Sequence, residues 1–164
     1  MRVFKDLFTG DELFSDAYRF SVLDDIIYEV IGNYVSINED NEIVPSDSDE
    51  AVGTALNIVV DQGLESTVFD KKSFGIYLKM IFKKIKEHLE KNDPDRVQDF
   101  MKAAAPFAKK ALGLFKDLEF YTGSSMNPEG VVVMIYHKDI ETANGLEERP
   151  CAWVLKDAVK EEKY

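Results

Sequence analysis

The sequence predicts a single α+β domain over residues 1–164, in which a helical hairpin projects from a twisted mixed β-sheet. Three observations support this class. Runs rich in β-branched and aromatic residues occupy both ends of the chain, the middle has a helical period, and 45% of the 164 residues are hydrophobic. A chain of this size and hydrophobicity can bury about two-thirds of its unfolded surface in one core, so one domain is expected.

The first third of the chain predicts β-strands separated by turns. Three apolar runs bounded by Gly, Asn and Asp have the strand signature, at residues 26–31, 34–37 and 56–60. Residues 38–53 (NEDNEIVPSDSDEAVG) have too little apolar surface to offset the entropy of ordering. We therefore expect a mobile acidic loop without strand structure.

The acidic loop carries two candidate phosphorylation sites. Ser46 and Ser48 lie among Asp47, Asp49 and Glu50, where a kinase that recognises acidic sequences could reach them. Phosphate placed among acids would extend the loop by repulsion. The alternative is a solvated loop that carries no modification.

Residues 70–116 predict an antiparallel helical hairpin. After Asp70, a plausible N-cap, apolar residues recur at three- and four-residue steps from Phe74 to Leu89. The segment 92–95 (NDPD) ends this helix and starts a second one at about Pro94, because proline is favoured at a first helical position. The second helix should run to about Leu114, with a kink at Pro106, which lacks a backbone N–H.

The last third of the chain returns to strand signals. We expect strands at residues 119–122, 130–136 and 152–155, the second of them buried on both faces because of its triple valine. A polar connection should span residues 138–150, with a turn at Asn144-Gly145.

Charge is distributed unevenly along the chain. The net charge is −11, but residues 70–116 carry twelve Lys/Arg against six Asp/Glu, which leaves −17 for the rest. An acidic protein is repelled by nucleic-acid phosphates at long range, so an acidic protein surface is the expected partner of the basic hairpin. The candidate binding face comprises Lys79, Lys83, Lys84, Lys86, Lys109 and Lys110. The alternative is that these lysines only solvate the helices.

The residues typical of active sites and cofactor sites are few. The chain has no GxGxxG, Walker-type or HExxH motif, and its two histidines, His88 and His137, are far apart. Cys151, the single cysteine, follows a proline and precedes an apolar run, which favours a small buried hydrophobe over a nucleophile. Asp47, Asp49 and Glu50 lack the EF-hand spacing, so we expect at most weak Ca²⁺ binding there and no required cofactor.

The N-terminus and the cysteine content favour a cytoplasmic protein. Residues 1–6 (MRVFKD) carry charges where a secretory signal needs an apolar stretch, and the longest apolar run is far short of a membrane span. A lone cysteine suits a reducing compartment. We expect no contact with membranes.

Three segments resemble the translationally controlled tumour protein family. The run 4–18 (FKDLFTGDELFSDAY) is similar to the start of that family, and 115–136, with its Phe-x4-Phe-Tyr-x-Gly core, is similar to its C-terminal signature. Residues 93–97 (DPDRV) and the ending 156–164 agree in order and spacing. The resemblance covers essentially the full length.

The departures from the family pattern identify a divergent member. The family's I-G-x-N-x-S-A-E signature is mostly missing from 43–50, and the acidic loop is short. Ser124 stands where the family has a second acid. The connection 139–149 is longer than usual, and the chain ends in Tyr164 where many relatives have a cysteine that permits covalent dimers, so we expect a monomer.

The resemblance implies both a fold and a set of partners. It implies a β-sheet "tent" like that of small Rab-exchange factors, without their zinc cysteines. It also implies a non-enzymatic cytoplasmic protein of growth and stress responses that binds calcium and tubulin, and, as the alternative function, a regulator or weak exchange partner of a Rheb-type small GTPase. Glu12 matches the acid linked to the GTPase contact, and Ser124 in place of the neighbouring acid argues against exchange activity. The alternative is that Glu12 only caps a local turn or pairs locally.

Overall fold

The computed structural model describes all residues from Met1 to Tyr164 and shows eleven strands and three α-helices. The strands are β1 (Arg2–Asp6), β2 (Glu12–Ser15), β3 (Phe20–Leu23), β4 (Ile27–Ile31), β5 (Tyr34–Ile37), β6 (Gly53–Leu56), β7 (Glu65–Thr67), β8 (Glu119–Thr122), β9 (Val133–Thr142), β10 (Gly145–Leu155) and β11 (Val159–Lys163). The helices are α1 (Asn57–Gln62), α2 (Lys71–Asn92) and α3 (Val97–Gly113).

The strands form three sheets. Their orders are β11-β1-β2, β3-β4-β10-β9-β8-β7 and β5-β6. Every pairing is antiparallel, whereas we expected a mixed sheet. The α+β class is confirmed. Antiparallel neighbours need only short connections, such as the two-residue turn between Thr142 and Gly145 that joins β9 to β10.

The predicted helical hairpin is present at the predicted place. Asp70 is the N-cap of α2, where its Oδ1 accepts a hydrogen bond from the Ser73 N–H at 2.7 Å, and this bond lowers the pKa of the Asp70 carboxyl. A 3₁₀ turn at Pro94–Arg96 connects α2 to α3. Helix α3 continues through Pro106, and the kink expected there stays a prediction.

The hairpin does not stand clear of the sheet. Buried side chains along both helices belong to one core of 31 buried residues shared with the strands, and the Phe107 ring meets Trp153 of β10 edge to face at 6.1 Å. At the tip, the Arg96 guanidinium donates to both oxygens of Asp157 at 3.0 and 2.8 Å and to Asp25 Oδ2 at 2.5 Å. Because bidentate ion pairs fix orientation, Arg96 holds the hairpin tip against the β3–β4 turn.

The strand predicted at 56–60 is wrong except for Leu56, which ends β6, because residues 57–60 form the start of α1. The Asn57 Oδ1 accepts from the Asn33 N–H and from the Ile58 N–H, both at 2.9 Å, which anchors the first turn. Gly63 then ends the helix at φ 65°, in the left-handed conformation that glycine adopts at C-caps. A short apolar run is compatible with a helix or a strand. Here the contacts at the two ends of the run favour the helix.

The strand predicted at 130–136 begins only at Val133. The Val131 N–H donates to Asp6 Oδ2 at 2.7 Å and the Val132 N–H to the Tyr77 hydroxyl at 2.8 Å, so neither is available to a neighbouring strand. The connection predicted at 138–150 is also wrong, since β9 and β10 pair continuously up to the turn before Gly145. The first correction comes from contacts distant in sequence, whereas the second comes from a local hairpin that closes at the predicted turn.

The acidic loop 38–53 consists mainly of turns. A single antiparallel bridge joins Ile43 to Ile37, and Gly53 begins β6, so the expected lack of strand structure holds for most of the loop. Its mobility stays a prediction.

Candidate functional site

The exposed face of α2 carries the main part of the predicted basic surface. Lys79, Lys83 and Lys86 follow one another at spacings of four and three residues, which places them on one stripe of the helix. All three are exposed, and none has a carboxylate oxygen within 4.0 Å. Lys72 extends the stripe by two turns. We call Lys72, Lys79, Lys83 and Lys86 the lysine stripe.

Two of the six predicted lysines are engaged within the molecule. The Lys84 ammonium donates to the Glu129 carbonyl at 2.7 Å and lies 4.3 Å from the centre of the Phe8 ring. The Lys110 ammonium is 3.4 Å from Asp24 Oδ2 and 5.2 Å from the Trp153 ring. Lys109 is exposed without an ion pair. The structure therefore leaves four of the predicted lysines, Lys79, Lys83, Lys86 and Lys109, free for a partner.

Glu12 lies at the exposed start of β2 and forms no ion pair. Its neighbour Asp11 is held in place, because Asp11 Oδ2 accepts from the Ser125 hydroxyl at 2.5 Å and from the Ser125 N–H at 3.3 Å. Gly123 permits this approach, since a Cβ there would lie 2.3 Å from Asp11 Oδ2. The contact brings the strand that carries Glu12 beside the loop that carries the exposed Ser124.

The two loop serines differ in accessibility. Ser46 is exposed, whereas Ser48 is half-buried and its Oγ accepts from the Glu50 N–H at 3.2 Å. A kinase can therefore reach the Ser46 hydroxyl without breaking a hydrogen bond, and phosphorylation of either serine stays a prediction.

The predicted calcium ligands do not converge. Asp49 and Glu50 border an open concavity with Glu39, Asp40 and Glu42, but Asp47 is not among the lining residues. No group of three or more His, Cys, Asp or Glu side chains is arranged to hold a metal ion. Weak calcium binding by Asp47, Asp49 and Glu50 stays a prediction.

Cys151 is a buried thiol, as predicted. It is fully buried, and burial raises its pKa to about 11, so the thiolate that a nucleophile needs is scarce near neutral pH. The histidines lie on separate elements, His137 with its Nε2 2.6 Å from the Tyr34 hydroxyl and His88 beside Asn92. These side chains do not form a catalytic constellation.

Two features of the structure are absent from the sequence-based predictions. The first is Asp6, only 3% exposed, whose carboxylate accepts three backbone N–H groups. The second is an apolar groove of about 670 Å³ between α2 and α3, with Ile76 60% exposed at its wall. The sequence did hold a signal for the groove, since Ile76 lies on the polar face of α2 between Lys72 and Lys79.

None of the helices is long and apolar enough to cross a membrane.

Known proteins are similar to this chain over essentially its full length. The family model described as translationally controlled tumour protein matches residues 1–160. A translationally-controlled tumor protein homolog of Candida albicans is 42% identical over 172 residues, covering 99% of each chain, and that of Aedes albopictus is 38% identical over 175 residues, covering 100% of each.

Solved structures agree with the sequence matches. The translationally controlled tumor-associated protein p23fyp of Schizosaccharomyces pombe superimposes with a TM-score of 0.81 at 36% identity, covering 100% of both chains. The translationally-controlled tumor protein of Caenorhabditis elegans gives 0.75 at 27% identity, covering 100% of this chain and 99% of that one. Sequence, fold and coverage agree over the full length, and the chain belongs to the translationally controlled tumour protein family.

Proposed function

We propose that this chain is a non-enzymatic binding protein of the cytoplasm whose lysine stripe docks on the acidic surface of tubulin. The observation that carries the proposal is the row of exposed ammonium groups on α2 that have no partner inside the molecule. Lys84 and Lys110, by contrast, each have an oxygen acceptor inside the molecule. The single buried cysteine suits the reducing compartment in which tubulin is found.

The charge distribution favours this kind of partner. The hairpin region is positive while the rest of the chain carries the acidic excess. An acidic surface would be attracted to one face and repelled by the others, which orients the encounter and raises the association rate. Exposed ion pairs contribute little affinity each, so several lysines acting together are needed.

A charge-reversal variant tests the lysine stripe. We expect Lys83→Glu with Lys86→Glu to weaken co-sedimentation with microtubules by about tenfold, which corresponds to ~1.4 kcal/mol. The matched control is Lys160→Glu with Lys163→Glu, which changes the net charge equally on exposed lysines of β11. Equal co-sedimentation of both variants with the parent protein would reject the lysine stripe as the tubulin contact.

We propose contact with a Rheb-type GTPase as the second candidate function. It is supported by the free carboxylate of Glu12 beside the loop 123–125. A carboxylate presented to a nucleotide site can compete with phosphate for a lysine or for Mg²⁺, which loosens the nucleotide. With Ser124 in place of a second acid, we expect binding with little acceleration of exchange.

Binding and nucleotide release are measured separately for Glu12. We expect Glu12→Gln to weaken binding to a Rheb-type GTPase by about tenfold, while Glu141→Gln, an exposed acid of β9, leaves it unchanged. Nucleotide release should respond little to the parent protein. Absence of binding by the parent protein at high concentration would refute this candidate without touching the tubulin proposal.

A further inference from the structure

The hairpin contains a groove whose walls are apolar and whose rim is basic. Its floor and walls come from facing positions of α2 and α3, and its volume of about 670 Å³ lies within the range of ligand-binding clefts. The apolar lining comprises Gly75, Ile76, Leu78, Phe82, Ala108 and Leu112. We call it the hairpin groove. An apolar wall left in water costs free energy unless a partner covers it.

Small residues keep the hairpin groove open. Gly75 and Ala108 present almost no side chain, and a Cβ at Gly75 would lie at an ordinary contact distance of 3.9 Å from Leu112 Cδ2. Glycine inside a helix costs about 1 kcal/mol relative to alanine. Since alanine would fit, packing within the chain does not require glycine at this position.

The rim of the groove is positive and breaks a local rule of helix stability. Lys71, Lys72 and Lys79 are the only charged residues that line it. Lys71 and Lys72 lie in the first turn of α2, where the helix dipole disfavours cations. The N-cap Asp70 offsets part of this cost, but its Oδ1 is engaged with the Ser73 N–H at 2.7 Å, and both lysines are exposed without an ion pair. Acidic groups of a partner would pair with these two ammonium groups.

We infer that the hairpin groove binds an acidic amphipathic helix of a partner protein. Apolar side chains at i, i+3 or i+4 and i+7 would enter the groove, and flanking Glu or Asp would meet the three lysines. The inference rests on the proposed role of the basic hairpin as a partner surface and adds the chemistry of the partner. Nucleic acid lacks the apolar side chains that the groove would bury, and the chain's net charge of −11 repels it.

The test uses a fluorescent acidic helical peptide of about 18 residues, or five turns, with Leu or Phe at the helical spacing. We expect Gly75→Leu, which fills the groove, and Ile76→Ser, which removes an exposed wall, each to weaken binding by about tenfold. Gly75→Leu also raises helix propensity and Ile76 is 60% exposed, so both variants should fold, as circular dichroism would show.

Charge is tested with two double variants that change the net charge equally. Lys72→Glu with Lys79→Glu should weaken peptide binding by about tenfold, whereas Lys160→Glu with Lys163→Glu, on β11 and outside the groove, should not. A peptide with alanine at its apolar positions should bind poorly. If that peptide bound equally well, or if Gly75→Leu and Ile76→Ser kept full affinity, attraction by charge alone would be shown and the inference overturned.

Other occupants give different results. A concentration-dependent dimer of the parent protein that Gly75→Leu abolishes would assign the groove to a second copy and overturn the inference, as would binding to anionic vesicles that the same variant abolishes. Peptide binding without microtubule binding would sustain the inference and reject tubulin as the partner. Microtubule binding without peptide binding would overturn the inference about the hairpin groove and leave the tubulin proposal standing.

Discussion

At the scale of single residues, one buried carboxylate, that of Asp6, fixes the backbone of two separate segments. Asp6 accepts from the Phe8 and Thr9 N–H groups at 2.8 and 3.3 Å through Oδ1, and from Val131 through Oδ2. One carboxylate thereby ties β1 to the segment before β9, which is 125 residues away in the chain. A buried N–H left without an acceptor costs about 1–3 kcal/mol.

We predict that Asp6→Asn lowers the free energy of unfolding by about 2–3 kcal/mol. The asparagine amide keeps one acceptor oxygen but turns an NH₂ group toward an N–H donor that the second oxygen had satisfied. Denaturant unfolding would measure the change, with the exposed Asp139→Asn as the control. A loss below that of the control would show that Asp6 is replaceable.

Asp25 predicts how stability depends on pH. Hydrogen bonds from Arg96, and then from Lys156, hold its pKa below the ordinary 3.8. A carboxyl whose folded-state pKa is lowered adds stability above its unfolded pKa, and that stability is lost as the pH falls through the folded value. We predict that Asp25→Asn loses less stability than the parent protein between about pH 5 and pH 2.

The control for Asp25 is Asp40→Asn, an exposed carboxylate of the acidic loop. Chemical unfolding across the acid range should give parallel curves for this control and the parent protein. If Asp25→Asn ran parallel to them as well, its ion pairs would add no stability. The effect should be small, because the Asp25 side chain is 56% exposed and its pairs are screened by solvent.

At the scale of elements, two separate features determine the helical hairpin. One is the helical period of its sequence, and the other is its attachment to the sheet through Arg96. The period predicts both helices, while Asp70 predicts the N-cap and the segment 92–95 with its proline predicts the turn. The attachment through Arg96 depends on Asp25 and Asp157, which are far away in the sequence, and no pattern in the chain marks them as partners. This is why the hairpin was predicted but its contact with the sheet was not.

We predict that Arg96→Ala destabilises the protein by roughly 2–3 kcal/mol, because Asp157, with its side chain 10% exposed, loses its bidentate partner. Hydrogen exchange should show the ends of α2 and α3 near the tip opening first. Arg96→Ala with Asp157→Ala should regain part of the loss. Uniform protection in the single variant would mean that the tip is held by apolar packing alone.

The strands, too, could be predicted only where the local sequence determines them. The β-branched and aromatic runs predict the strands β4, β5 and β8, whereas Ile58, Val59 and Val60 favour a strand where the structure has α1. Its helix depends on the Asn57 side chain and on Gly63. The groove was missed for a similar reason, since only the packing of α2 on α3 turns Gly75 and Ile76 into a cleft.

At the scale of the whole molecule, the sequence alone shows that the hairpin region is positive and the rest of the chain is negative. The structure adds which cations are free, because Lys84 and Lys110 are engaged while the lysine stripe faces solvent. Family membership rests on the full-length agreement with relatives. Composition could give the sign of the charge on each part but not the orientation of each side chain.

We predict that microtubule binding weakens steeply between about 50 and 300 mM salt, where the screening length falls from about 14 to 6 Å. The variant with Lys83→Glu and Lys86→Glu should show a flatter dependence, because fewer ion pairs remain to be screened. Binding independent of salt in the parent protein would indicate an apolar contact in place of the stripe.

The position of Trp153 has a spectroscopic consequence. It is the only tryptophan, and its indole donates to Glu29 at 3.0 Å while Phe107 and Lys110 of α3 lie against the ring. The intrinsic emission of the molecule therefore comes from the junction between helix and sheet. Any event that lifts α3 off β10 should shift and quench that emission, so the protein carries an internal reporter of hairpin detachment that needs no added dye.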